Sequence, residues 1–307
     1  MRASVLLHNR EMRKPISIAA LALLISAATA VAAQPMSAAQ AFALPQPAPD
    51  EVIAYGSEPR QFGELRMPAG EGLFGVAVIV HGGCWLSDYD QRYMGALAEV
   101  FTDLGWATWT IGYRRVGEPG GGWPNTFLDA AAAVDFLPEL ASRYPLDADR
   151  VVAVGHSAGG QLALWLAARP KLAESSELFS PDPHPVDGVL ALAAAADLEY
   201  LSEQQTCGDA ATRLMGGTPI ERPRRYADGS TMQLVPLGVP QILVNGELDE
   251  TWSVPADRYF AATSDAGDPV EKLTMPGAGH FELVIPDSPS WSIVRDAFVR
   301  LVGQAGN

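Results

Sequence analysis

Val154-Gly155-His156-Ser157-Ala158-Gly159-Gly160 carries the spacing G-x-S-x-G, and its flanks matter as much as its letters. Before it, Arg150–Val154 is short and apolar and reads as a buried strand. After it, Gln161-Leu-Ala-Leu-Trp-Leu-Ala-Ala168 continues a helix that starts at Ala158. A serine between strand and helix sits on a tight, strained turn that lifts its Oγ clear of the sheet edge. Such a turn tolerates only small residues two before and two after the serine, and Gly155 and Gly159 meet that need. The helix N-terminus behind it favours developing negative charge. Ser157 is therefore the candidate nucleophile.

The same alternation extends in both directions. Phe74–Val80, Ala107–Tyr113, Gly188–Ala194, Gln241–Val244 and Val270–Met275 read as strands. Arg92–Leu104, Asn125–Ser142, Ala256–Thr263 and Trp291–Val302 have helical spacing. Strand-then-helix alternation predicts an α/β fold with a mostly parallel central sheet and helices on both faces. Residues 51–307 are expected to form one domain, with 34–50, rich in Ala, Pro and Gln, as a flexible leader. Residues 198–237 break the rhythm with short helical patches among Gly-, Pro- and Arg-rich turns, and an insertion of that length reads as a small lid.

A serine hydroxyl is a poor nucleophile without a base. Of the five histidines, His8 lies in the N-terminal segment and His156 adjoins the serine with its side chain expected to point away. His81 precedes the nucleophile strand and His184 sits in a Pro-rich turn. His280, in Pro276-Gly-Ala-Gly-His-Phe281, follows the last strand, from where it can swing back over the sheet edge as base. The base needs an acid to fix its tautomer. Glu247, Asp249 and Glu250 all follow the strand before last, and Asp249 lies at the right depth in the loop. The order Ser157, Asp249, His280 is a hydrolase order.

Attack on a carbonyl creates an oxyanion, which preorganised N–H donors stabilise. In Ala77-Val-Ile-Val-His-Gly-Gly-Cys-Trp85 a buried strand ends in bare backbone beside the nucleophile turn. Gly82, Gly83 and Ala158 are the candidate donors. Together these motifs resemble the α/β-hydrolase superfamily, in particular hormone-sensitive-lipase-like carboxylesterases and kynurenine-formamidase-like hydrolases. The resemblance runs roughly from residue 60 to 303 and implies an α/β-hydrolase fold with the oxyanion donors just named. Cys84 stands where the lipase-like pattern has a third glycine, so its N–H is an alternative to that of Gly82. Asn245 stands where the family often has a histidine, which leaves the acid in place.

The expected chemistry is hydrolysis of carboxylic esters or related small acyl compounds through a Ser-His-Asp triad and an acyl-enzyme. Arylformamidase-type amide hydrolysis and small-peptide cleavage use like triads. A catalytically silent binding protein is the non-enzyme alternative, disfavoured because all three triad positions are filled. Cys84, Trp85, Trp123 and Trp252 fall in loops on the active edge and are candidate substrate contacts. No metal-ligand spacing and no phosphate loop occurs, so no cofactor is expected. The partner is a small-molecule substrate; the sequence does not set an oligomeric state.

A formal charge of −15 argues against a nucleic-acid partner. Arg2, Arg10, Arg13 and Lys14 precede an uncharged Ala- and Leu-rich run over residues 16–33, the pattern of a cleavable secretory signal. This predicts an exported protein, periplasmic or secreted, with no stable membrane span after cleavage. In an oxidising compartment two cysteines favour pairing, so a Cys84–Cys207 disulfide between oxyanion loop and lid is expected.

Overall fold

A computed structural model describes residues 34–304. The expected signal segment, residues 1–33, lies outside the described residues. Eight strands, β1 (Glu51–Ala54), β2 (Phe62–Arg66), β3 (Phe74–Val80), β4 (Ala107–Ile111), β5 (Leu146–His156), β6 (Gly188–Leu192), β7 (Gln241–Gly246) and β8 (Val270–Met275), form one sheet in the order β1-β2-β4-β3-β5-β6-β7-β8. β1, β2 and β4 pair antiparallel and all other neighbours pair parallel. This is the mostly parallel α/β sheet that the alternation predicted, with an antiparallel edge added, and it is the α/β-hydrolase fold that the resemblance implied.

The helices are α1 (Ala38–Ala43), α2 (Gly95–Asp103), α3 (Asn125–Asp135), α4 (Leu137–Ala141), α5 (Ala158–Ala168), α6 (Leu198–Glu203), α7 (Ala210–Met215), α8 (Pro223–Gly229), α9 (Glu250–Asp265) and α10 (Ser292–Gln304). No helix among the described residues is long and apolar enough to cross a membrane. β4, β6 and β7 are buried along their whole length, and so are β3 after Phe74 and β5 from Val151, as continuous apolar runs covered on both faces require. α5 is buried on every side, which is why its sequence lacks a polar face.

Three differences from the sequence reading have local causes. β1 and β2 were not legible as strands: they are short edge pieces, and β1 exposes three of its four residues. The single helix expected over Asn125–Ser142 is two, α3 and α4, divided at Phe136 ahead of Pro138. The leader expected to be flexible carries a short helix: Ser37 caps α1 in a reciprocal capping box with Gln40, and Ala41 is fully buried. That Ser-x-x-Gln spacing was the available signal. Residues 198–237, the insertion expected to form a lid, hold α6, α7 and α8 and are tied to the body by hydrogen bonds. Trp123 N–H donates to Leu214 O at 2.7 Å, so the Gly120–Trp123 loop is anchored there. Buried Gln161 and Trp165 of α5 donate to Gly229 O and Asp228 O.

Candidate active site

Ser157 follows β5 directly, at φ 57° and ψ −121°. Its N–H donates to Leu192 O at 2.8 Å, and its carbonyl accepts the N–H of Gly160 and of Ala195, tying the turn to the end of β6. The glycines flanking it are required by space. A Cβ on Gly155 would collide with the carbonyl of Gly159, and one on Gly159 with the carbonyls of Val80 and His81. The strained φ is thus enforced by packing on all sides.

His280 and Ser157 line one cavity of about 190 Å³. His280 Nδ1 is 2.7 Å from Asp249 Oδ2, so Nδ1–H donates to the carboxylate and Nε2 is left as the basic nitrogen. Trp252 stacks on the imidazole with ring centroids 5.2 Å apart and also lines the cavity. The two competing carboxylates do other work. Glu247 accepts the N–H of Gly277 in the His280 loop, and Glu250 opens α9 in solvent.

The bare backbone after β3 is arranged differently from the sequence expectation. Gly82 N–H donates to the Tyr93 hydroxyl at 2.6 Å, so Gly82 is not an available oxyanion donor. The signal was hidden because Tyr93 arrives from the 3₁₀ turn Gln91–Met94, on another element. Gly82 O accepts from His81 Nδ1 at 2.8 Å, and a trans peptide then directs the N–H of Gly83 to the opposite side. No acceptor among the described residues meets the N–H of Gly83, Cys84 or Ala158. Gly83, Cys84 and Trp85 all have positive φ, at 105°, 52° and 56°. For Cys84 and Trp85 that conformation is costly, and something must hold it. Part of the hold is the expected bond: Cys84 and Cys207 form a disulfide with Cα atoms 6.1 Å apart, joining this loop to the α6–α7 connection of the lid.

A polar chain that the sequence did not reveal runs beneath the cavity. Tyr93 accepts from Gly82 N–H and donates to His156 Nδ1 at 2.8 Å; His156 Nε2–H then donates to His280 O at 3.0 Å. One line of hydrogen bonds therefore spans the oxyanion loop, the nucleophile turn and the histidine loop. It requires a neutral His156, and burial together with the neighbouring His280 holds the imidazole well below its ordinary range. Burial likewise pushes His81 down to about 3, which keeps it neutral on Gly82 O.

Two proposed substrate contacts are corrected. Trp85 is 1% exposed and packs in the core, turned inward by its positive φ. Trp123 lies under the lid, against Phe127 and the Arg225 guanidinium, with Nε1–H on Glu177. Neither lines the Ser157 cavity, whereas Cys84 and Trp252 do.

Comparison with known proteins gives a consistent picture. The profile of the BD-FAE family matches residues 65–260. A probable isoprenylcysteine alpha-carbonyl methylesterase of Arabidopsis thaliana is 28% identical over 126 residues, 41% of this chain and 26% of that protein. Versiconal hemiacetal acetate esterase of Dothistroma septosporum is 25% identical over 254 residues, 74% of this chain and 72% of that protein. The chain thus spans about a quarter of the length of the first relative. Among solved structures, esterase B from Lactobacillus Rhamnosis superposes with a TM-score of 0.73 at 20% identity, covering 86% of this chain and 89% of that one. A truncated carbohydrate esterase from gut microbiota gives 0.71 at 18% identity, with 83% and 95% covered.

Proposed function

The chain belongs to the BD-FAE family, and from that premise we propose that it is a serine esterase acting on small carboxylic esters through an acyl-enzyme on Ser157. The observation that carries this reading is a single cavity holding Ser157 on its strained turn and the Asp249-paired His280. That the relatives named above are esterases supports it.

In the proposed mechanism Ser157 Oγ attacks the ester carbonyl while His280 Nε2 takes its proton. Asp249 keeps the other ring proton on Nδ1 and stabilises the imidazolium that forms. The negative oxygen is received by the free N–H groups of Gly83 and Ala158, with Cys84 in place of Gly82 as a third donor. Collapse expels the alcohol, which takes the proton from His280. Water then adds to the acyl-serine, giving its proton to His280. The second collapse releases the carboxylic acid and returns that proton to Ser157. The cavity is smaller than the roughly 300–1,000 Å³ that holds a drug-sized ligand, so a short acyl group is the fitting occupant.

We infer further that the protein works outside the cytoplasm. The N-terminal run over residues 16–33 and the Cys84–Cys207 bond both suit export to an oxidising compartment. Cell fractionation with N-terminal sequencing checks this: a cytoplasmic chain still starting at Met1 would contradict it. For the chemistry, the test is a panel of p-nitrophenyl esters, an aryl formamide and a dipeptide amide. Preferred turnover of the esters is expected; preferred turnover of either amide would reassign the substrate class.

A further inference from the structure

The segment Gln34–Ala43 reaches over the nucleophile. Ala38 and Phe42 of α1 line the Ser157 cavity. The Phe42 ring packs on Tyr93 at 4.7 Å, on Tyr89 at 5.4 Å and edge-on to Phe281, the neighbour of His280, at 6.2 Å. Phe42 also lines a second cavity of about 480 Å³, whose walls combine Leu44, Pro47 and Val52 with the polar Gln46, Glu64 and Arg92. Phe42 and Tyr93 are the two side chains common to both cavities.

These two residues are not equivalent. Tyr93 is buried and its hydroxyl is engaged by Gly82 and His156, so it is a fixed post. Phe42 is half-buried and bears no polar anchor of its own; its position is set by the arm that carries it. That arm is fastened by a carboxylate. One oxygen of Glu282 accepts the N–H of Met36 and the other accepts the N–H of Gly279 at 3.0 Å, beside His280. The capping box at Ser37 and the buried Ala41 complete the hold.

We propose that Phe42 is a specificity-determining residue: its ring partitions the inner cavity at Ser157 from the outer one and limits the acyl group to short chains. This rests on the esterase reading above. The inner cavity accommodates a few heavy atoms beyond the carbonyl, and the next space along this wall begins behind the ring. Shortening the side chain joins the two volumes, so that a longer acyl chain gains apolar contact where it formerly met the ring. Each methylene accepted or refused by such a wall changes discrimination by about 10–200-fold.

The test compares kcat/KM for p-nitrophenyl acetate, butanoate and octanoate in the wild type, Phe42→Ala, Phe42→Leu and Phe42→Trp. The quantity read is the octanoate-to-acetate ratio, so a general loss of activity cancels. The expected ratio is well below one in the wild type, rises about tenfold or more in Phe42→Ala, rises less in Phe42→Leu and falls in Phe42→Trp. Phe42→Leu serves in place of Phe42→Ala if the latter does not fold, as judged by circular dichroism. An active wild type whose ratio is unmoved by all three changes would overturn the role of Phe42 alone. A folded wild type that turns over none of the three esters would instead overturn the esterase reading.

Discussion

Two glycine-rich loops face Ser157, and they are fastened by different chemistry. The loop after β3, His81–Trp85, is held by a covalent bond and by neutral hydrogen bonds: Cys84 to Cys207, Gly82 N–H to Tyr93, and Gly82 O to His81. The loop after β8, Pro276–Phe281, is held largely by carboxylates. Glu247 takes the N–H of Gly277, Glu282 that of Gly279, and Asp249 the imidazole of His280. The difference fits what the proposed mechanism asks of each loop. Oxyanion donors act only if they are already in place when charge develops, which favours rigid, charge-free fastening. A histidine that gains and loses a proton is better served by anionic partners, which stabilise its charged form.

The first way to break this contrast acts on the anionic side. Asp249→Asn is expected to lower kcat by roughly 10³–10⁴-fold with little change in fold, because the amide no longer enforces the Nδ1–H tautomer. Steady-state kinetics with circular dichroism check this; a loss below about tenfold would assign the orienting role elsewhere.

The covalent side should respond to reductant instead. The bond closes a sequence separation of 123 residues, and its loss is expected to cost about 2–4 kcal/mol of stability. Activity should fall in kcat more than in KM, since Cys84 and Trp85 are then free to relax from positive φ. Urea melts and kinetics of the Cys84→Ala/Cys207→Ala double variant, with and without dithiothreitol, measure both. A reductant effect that persists in the double variant would contradict the assignment.

Tyr93→Phe sharpens the comparison by removing the hydroxyl that links the two loops through His156. It leaves Gly82 N–H and His156 Nδ1 without their partner, at an expected cost of about 1–3 kcal/mol. The change leaves Ser157, the Asp249–His280 pair and the N–H groups of Gly83, Cys84 and Ala158 untouched, so kcat is expected to change less than stability does.

The smallest effect is that of pH. His81 and His156 are held below their unfolded value, so between that value, about 6.5, and the folded one the unfolded chain binds more protons. Stability contributed by their neutral state is present above pH 6.5 and is lost as pH falls. Each histidine should remove about 1 kcal/mol over the pH unit below 6.5. Denaturant midpoints between pH 7.5 and 5.5 report the trend, and a midpoint that rises on acidification would contradict it.

The contrast also explains what was legible in the sequence. Ser157, Asp249 and His280 could be placed because chain order and strand ends constrain them, and one sheet then carries all three to one edge. Oxyanion donors are harder to read, because availability depends on what each N–H already holds. Nothing near Gly82 announces that Tyr93 takes its proton. Trp85 and Trp123 were misplaced for a related reason: a loop position fixes where a backbone lies, while a positive φ or a lid contact decides where the ring goes. The N-terminal arm was masked by its composition, although Ser37 and Gln40 carried a readable cap.

The central claim is that Ser157 is the acylated group. Its most direct test is covalent labelling with a fluorophosphonate, followed by peptide mass spectrometry and assay of the same sample. The account predicts modification of Ser157 in step with loss of esterase activity, and a Ser157→Ala variant that is folded, unlabelled and at least about 10³-fold less active. Labelling at another residue, or turnover by Ser157→Ala equal to the wild type, would contradict it.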